Sequence, residues 1–167
     1  GQTAEQFAEE HLFNVIGITK WEWESDPNGL TVAPWGLELH PVNMAMFGYL
    51  YLKKGLLNGE QSVPESWVEE STAKYFVVEE FAVGIMDGMF DYGYHWWRFN
   101  DSFFESFLWS GDPPKTNDIF YASGYGAQFI YVIPHLDIVM VFTGWEPNKP
   151  WLHGYLFNDL LNAVKEK

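Results

Sequence analysis

Ser71-Thr72-Ala73-Lys74 has the S-x-x-K spacing in which a lysine one helical turn beyond a serine can take the hydroxyl proton and allow the serine to be acylated. That chemistry needs the serine at a helix N-terminus, where free amides hold an oxyanion, and a lysine whose pKa is lowered until it acts as a base. Here the helix signals put Ser71 near the end of its helix, and Glu69 and Glu70 beside it favour a charged lysine, so the pattern reads as a chance match. Lys115-Thr116-Asn117 imitates a K-T-G triplet but follows Pro113-Pro114 in a predicted loop rather than a strand. Glu22 and Glu24 flank Trp23 and suggest a carboxylate pair for glycoside chemistry, yet residues two apart in a bent loop rarely oppose each other across a substrate. His11, His40, His95, His135 and His153 include no pair at zinc-motif spacing and read as structural or surface residues. Asp26-Pro27-Asn28-Gly29 lacks the alternating ligands of a calcium loop and reads as a turn.

The elements that position these groups follow from periodicity and caps. Thr3 and Gln6 fit a capping box, and Ala4, Phe7, Ala8, His11 and Leu12 share one face of a helix predicted to end near Asn14. Gly17 to Leu39 is irregular and reads as an ordered loop. A second helix starts with Pro41 in its first turn and runs through Met44, Phe47, Leu50 and Tyr51 to Lys53-Lys54, with Gly55 as its left-handed cap. A third opens at Pro64 and continues through Trp67 and Val68 towards Thr72. Tyr92 to Phe99 has the aromatic enrichment of a strand, and a polar loop with Gly111-Asp112-Pro113-Pro114 follows. Ile119 to Ile133 and Asp137 to Gly144 are β-rich runs joined as an antiparallel hairpin by Pro134-His135-Leu136. Leu152, Leu156, Leu160 and Val164 mark an amphipathic terminal helix. Helices, about three antiparallel strands and a final helix predict an α+β fold, an antiparallel sheet flanked by helices.

The 167 residues are 47% hydrophobic, which suits one globular domain with a sizeable core. A formal charge of -14 disfavours nucleic acid, because such a chain repels phosphates. The absence of cysteine removes disulfides, thiol catalysis and thiolate metal sites. No apolar run approaches the roughly 20 residues of a membrane span. The 9 Trp, 9 Tyr and 14 Phe suit either a large aromatic core or a non-catalytic carbohydrate-binding or interaction surface, and core is the commoner use.

An ordered set of segments resembles a known family. Trp35-Gly36-Leu37-Glu38-Leu39-His40-Pro41-Val42-Asn43-Met44-Ala45-Met46-Phe47-Gly48-Tyr49-Leu50-Tyr51-Leu52 is similar to the "WGL-x-L-x-P-x-DMA-x-FGYLYL" stretch of the β-lactamase-related serine hydrolases. These include class C β-lactamases, penicillin-binding proteins, esterases and nylon-oligomer hydrolases. Val63-Pro64-Glu65-Ser66-Trp67-Val68, Tyr92-Gly93-Tyr94-His95-Trp96-Trp97, Ala122-Ser123-Gly124-Tyr125-Gly126-Ala127-Gln128 and Ile130-Tyr131-Val132-Ile133-Pro134 follow in the expected order. Phe7 to Leu12 resembles the family's first matching helix, before Ile16-Gly17-Ile18. The chain departs from the pattern at Asn43, where Asp is usual, and at Ala127, where a second Gly is common.

The resemblance implies that residues 1–167 are a single segment, the C-terminal part of the β-lactamase/transpeptidase-like fold, with a helical region over about 1–75 and the sheet and terminal helix over about 90–167. The family's catalytic S-x-x-K and Y-x-N lie upstream of the matched segments, and this chain has no Y-x-N. Its partners would then be the upstream part of the same enzyme and a small-molecule ester or amide, with no cofactor. A periplasmic or secreted location is what the family favours. Ala122-Ser123-Gly124 takes the place of K-T-G, and the backbone N–H of Tyr125, next to Gly124, becomes half of an oxyanion hole. Ser123, Gln128, Trp21 and Trp35 are expected to line the substrate cleft. With no Lys at position 122, an esterase or amidase fits better than a β-lactam hydrolase.

Overall fold

The structure, a computed structural model, describes residues 1–80, 87–106, 117–144 and 152–164. Thr3 opens the first helix as a capping box: its hydroxyl accepts from Gln6 N–H at 3.2 Å, and Gln6 Oε1 accepts from Thr3 N–H at 3.0 Å. α1 (Ala4–Ala8) runs into a π-helical turn (Glu9–Phe13) and then α2 (Asn14–Ile16), which ends at Gly17 with φ +79°. The buried face matches the expected one in part: Ala8 and Leu12 pack against the core, but Phe7 and His11 are exposed. The π turn holds an extra residue and rotates the helix surface, so Phe13 and Ile16 enter the core while Phe7 stays exposed.

The stretch expected as a loop contains an antiparallel ribbon, β1 (Trp21–Trp23) with β2 (Leu37–Leu39). His40 caps α3 (Pro41–Leu52), its Nδ1 accepting from Val42 N–H at 3.3 Å. A short ribbon of β3 (Leu56–Leu57) and β4 (Glu60–Gln61) precedes α4 (Glu65–Ser71). The main sheet holds six antiparallel strands rather than about three: β5 (Phe76–Val77), β6 (Phe90–Tyr92), β7 (Trp97–Phe99), β8 (Phe120–Gly124), β9 (Gln128–Ile133) and β10 (Ile138–Phe142), side by side in that order. Two runs expected as single strands are hairpins, turning at residues 93–96 and 125–127. Apolar residues continue through both turns, so periodicity did not mark the breaks. α5 (Asp101–Phe104) follows β7, and α6 (Leu152–Ala163) follows the sheet.

Strand alternation divides the core into two layers. Tyr121, Phe129, Tyr131 and Ile133 join Phe90, Phe99, Phe103, Phe104 and Phe157 of α6 on one face; Phe120, Ile130 and Val132 join Tyr51 of α3, Val68 of α4 and Trp96 on the other. Much of the aromatic composition is thus core, with ring centroids as close as 4.3 Å for Phe99–Phe103 and 4.4 Å for Tyr131–Phe157. In α6 the inward positions are Phe157 and Leu161, and Leu160 is exposed, so the expected stripe is displaced by one residue. Gly48 lets α3 approach the sheet: a methyl there would stand 2.7 Å from Ile130 Cγ2 and Val139 Cγ1. Gly111 to Pro114, Lys115 and Thr116 lie outside the described residues, as do the side chains of Leu152 and Leu156 and that of His153. Among the described residues no helix is long and apolar enough to cross a membrane.

Candidate functional site

Successive strands run antiparallel, so the β6–β7 and β8–β9 turns project from the same end of the sheet, together with Gly144 beyond β10. At that end β8 leaves the core. Phe120 and Tyr121 are buried, Ala122 is half-buried, and Ser123, Gly124 and Tyr125 are exposed, Tyr125 to 89%. Ser123 pairs with Phe129 and Gly124 with Gln128; a methyl on Gly124 would stand 3.2 Å from Gln128 Cβ.

The turn between them has two left-handed residues, Gly126 at φ +78° and Ala127 at φ +60°. Ala127 packs against the aromatic layer, so its departure from glycine fills space beside the core while imposing a backbone conformation that L-residues avoid. The Gln128 carboxamide closes the turn from within, donating from Nε2 to the carbonyl of Gly126 at 3.0 Å and to that of Gly144 at 3.5 Å. Its amide, expected at the cleft, is engaged in holding the turn.

The neighbouring turn is clamped as firmly. Gly93 N–H donates to Trp96 O at 2.7 Å and Tyr94 N–H to Ser71 O at 2.9 Å. Trp96 is buried, stacked with Phe47 at 6.1 Å and edge-on to Phe120 at 5.1 Å. Tyr94 and His95 form the tip, with His95 exposed at φ +63° and its Nδ1 3.4 Å from the Tyr92 hydroxyl. Partial burial raises the Tyr92 pKa, which keeps that hydroxyl protonated. Tyr75 stacks on Tyr94 at 4.8 Å, and Trp67 lies 5.8 Å from Tyr94, each of the three rings partly open to solvent.

Ser71 and Lys74 belong to the framework of this turn. Ser71 is the last residue of α4, is 1% exposed and donates its hydroxyl to Val68 O at 3.3 Å. Lys74 Nζ lies 3.0 Å from the buried Asp91 carboxylate. Asp91 pairs in register with Arg98, whose guanidinium donates to Thr72 O and Asn117 O, each at 3.0 Å. Desolvation lowers the Arg98 pKa, and Asp118 and Asp91 oppose that shift.

Ser123, Gly124, Tyr125 and Gln128 thus come together on one hairpin. Trp21 lies on the β1–β2 ribbon instead, and Trp35 in the loop that joins its two strands. Trp21 packs on Phe13 at 4.9 Å and donates from Nε1 to Glu5 at 2.9 Å; the carbonyl of exposed Trp35 accepts from Trp23 Nε1 at 3.3 Å. Among the histidines, His40 caps α3 and His135 Nδ1 meets Asp118 at 2.5 Å, but His95 occupies the site end of the sheet. Its left-handed backbone is a signal that a sequence pattern does not carry. No group of three or more His, Asp or Glu among the described residues could hold a metal ion.

No protein-family model matches the sequence, and no curated protein does. Solved structures do match. The chain is similar to a protein provisionally described as a 6-aminohexanoate-dimer hydrolase from Bacillus anthracis, with a TM-score of 0.71 and 23% identity over 98% of this chain and 38% of that one. It is also similar to a penicillin-binding protein homologue from Caulobacter crescentus, with a TM-score of 0.56 and 13% identity over 86% of this chain and 47% of that one. The chain therefore has the β-lactamase/transpeptidase-like fold that the order of its motifs implies, and it spans less than half the length of either structure.

Proposed function

We propose that this chain supplies the oxyanion-holding strand of a β-lactamase-like serine hydrolase that cleaves an ester or amide through an acyl-serine intermediate, with the nucleophile on an upstream segment. The observation that carries this reading is the hairpin tip: β8 emerges from a core buried on both faces, and the backbone N–H of Tyr125 follows directly on an exposed glycine. The N-terminal helices, the site hairpin and the terminal helix all lie within the matched fold.

The upstream serine Oγ would bond to the substrate carbonyl carbon as its proton passes to the upstream Lys and Tyr. The carbonyl π pair moves to oxygen, and that charge is held by the Tyr125 N–H and the nucleophile's own N–H. Collapse of the intermediate expels the protonated leaving group, and water then hydrolyses the serine ester. A donor of this kind contributes about 2.7–4 kcal/mol when fixed in advance. The Gln128 carboxamide and the Ala127 packing supply that fixation. Ala122, in the place of a lysine, leaves a site suited to neutral esters or amides, in keeping with a net charge of -14.

The test uses the full-length protein. Fluorophosphonate labelling mapped by mass spectrometry should find one serine upstream of this segment, and label on Ser71 would overturn the assignment. Tyr125→Pro removes the N–H and should lower kcat by about 10²–10³-fold. Unchanged turnover would remove Tyr125 from the mechanism.

A further inference from the structure

We propose that His95 is a substrate-binding residue of this site, donating a hydrogen bond from Nε2 to a carbonyl of the substrate beyond the scissile bond. The inference rests on the hydrolase reading above and adds a substrate class to it: esters or amides that carry a second hydrogen-bond-accepting carbonyl.

Three observations lead there. The first is position. The Tyr94–His95 tip and the Tyr125–Ala127 turn leave the same end of the sheet on adjacent hairpins, because Trp97 pairs with Tyr121 and both chains continue from there towards that end. β7 and β8 lie about 4.8 Å apart, and counted from the Trp97–Tyr121 pair His95 is two residues along and Tyr125 four, a stagger of about 7 Å that one substrate spans. The second is conformation. His95 is held at φ +63° although glycine adopts that geometry without strain, at a cost of order 1–3 kcal/mol for a residue with a side chain. The clamp is unusually complete: Gly93 N–H bonds Trp96 O, Tyr94 N–H bonds Ser71 O, and Trp96 is locked in the core. A rigid turn that carries a strained, exposed imidazole keeps that imidazole in one place.

The third is the ring's own hydrogen bond. Nδ1 lies 3.4 Å from the Tyr92 hydroxyl. We assign the tautomer in which that hydroxyl donates to Nδ1, which leaves the imidazole proton on Nε2 as the donor for a ligand. A donor selects an acceptor, and a carbonyl is the acceptor that ester and amide substrates bring.

The experiment compares two esters in the full-length protein: p-nitrophenyl butyrate, and p-nitrophenyl 4-acetamidobutyrate, which adds an amide carbonyl. The readout is the ratio of kcat/KM for the acetamido ester to that for the butyrate. His95→Gly should lower this ratio about tenfold, the worth of roughly one hydrogen bond, while raising the melting temperature because the turn is relieved. His95→Asn, which tolerates the left-handed region and retains an N–H donor, should restore most of the ratio. A wild-type ratio in His95→Gly overturns the inference, and so does a fall in both esters alike with a lower melting temperature. Tyr125→Pro separates this from the underlying reading. If it leaves both esters at wild-type rates, the oxyanion assignment fails; if it stops both while His95→Gly keeps the wild-type ratio, only the His95 inference fails.

Discussion

Gly93 rests against the backbone carbonyl of Ser71: a methyl group on its α-carbon would stand 2.5 Å from that oxygen and 2.7 Å from the carbonyl oxygen of Ala73. Both are main-chain atoms at the end of α4, so neither can swing aside as a long side chain would. Through this contact and the Tyr94 N–H bond to Ser71 O, the end of α4 fixes the turn that presents His95. The first prediction follows directly. Gly93→Ala should cost about 2–3 kcal/mol in urea denaturation, as overpacking against an immovable wall does. A loss within 0.5 kcal/mol, the rough noise of such a surface change, would show that the turn is not pinned there.

His95 and Ala127 are two of the five non-glycine residues with positive φ among the described residues, and they should respond differently to a glycine. His95→Gly relieves the strain at an exposed tip and should stabilise by about 0.5–1 kcal/mol. Ala127→Gly relieves similar strain but withdraws a methyl group from the aromatic layer. That methyl contributes up to about 0.8 kcal/mol, and glycine adds unfolded-state entropy. The expected net change at Ala127 is therefore close to zero. Thermal melts of the two variants should rank His95→Gly above wild type and Ala127→Gly beside it; the reverse order would mean that the packing of Ala127 is negligible.

How far the sequence revealed this site depends on which forces shaped each part. The capping box at Thr3 and the first-turn Pro41 are local signals, and the structure keeps both where the pattern puts them, with His40 adding a cap that the pattern did not mark. The order of motifs singled out Gly124 and Tyr125 as candidates, and the structure sets both at an exposed hairpin tip. The turns at residues 93–96 and 125–127 were hidden because Trp96 and Ala127 are core residues lying inside turns, which erases the polar break that normally marks a hairpin. The expected face of the first helix held at Ala8 and Leu12 but not at Phe7 and His11, because a π turn changes the helical period. The role of Gln128 was invisible, since its partners Gly126 and Gly144 are backbone carbonyls that sequence cannot place.

Ser71 provides a chemical control on the proposed mechanism. Its hydroxyl is buried and shares the Val68 carbonyl with the Thr72 hydroxyl, which reaches that oxygen at 2.8 Å. Ser71→Ala should therefore cost no more than about 1 kcal/mol, since the carbonyl keeps other donors. In the full-length protein it should leave both the site and the rate of fluorophosphonate labelling as in wild type. A lost label would restore the S-x-x-K spacing to a catalytic role.

The core makes a last prediction about alkaline stability. Tyr121 and Tyr131 are cross-strand partners on β8 and β9, with ring centroids 5.1 Å apart in the aromatic layer. Burial raises both pKa values well above the ordinary phenol, and for Tyr121 the neighbouring Tyr131 adds to the rise. A phenol is neutral when protonated, so below the unfolded pKa of about 10 neither state ionises and stability does not change through these groups. Above it, the unfolded chain releases protons that the folded core retains, and the unfolded state gains accordingly. Stability should fall as pH rises past about 10, with a limiting slope of about 1.4 kcal/mol per pH unit for each of the two tyrosines. Melting temperatures between about pH 9 and 12, followed with tyrosinate absorbance, test this. Of the 9 tyrosines, these two should appear as tyrosinate only with unfolding. Tyr121→Phe should remove close to half of the slope due to the pair, because it deletes one titrating hydroxyl and leaves the ring packing in place. Ionisation of all nine in the folded protein would show that water reaches the layer between β8, β9 and α6.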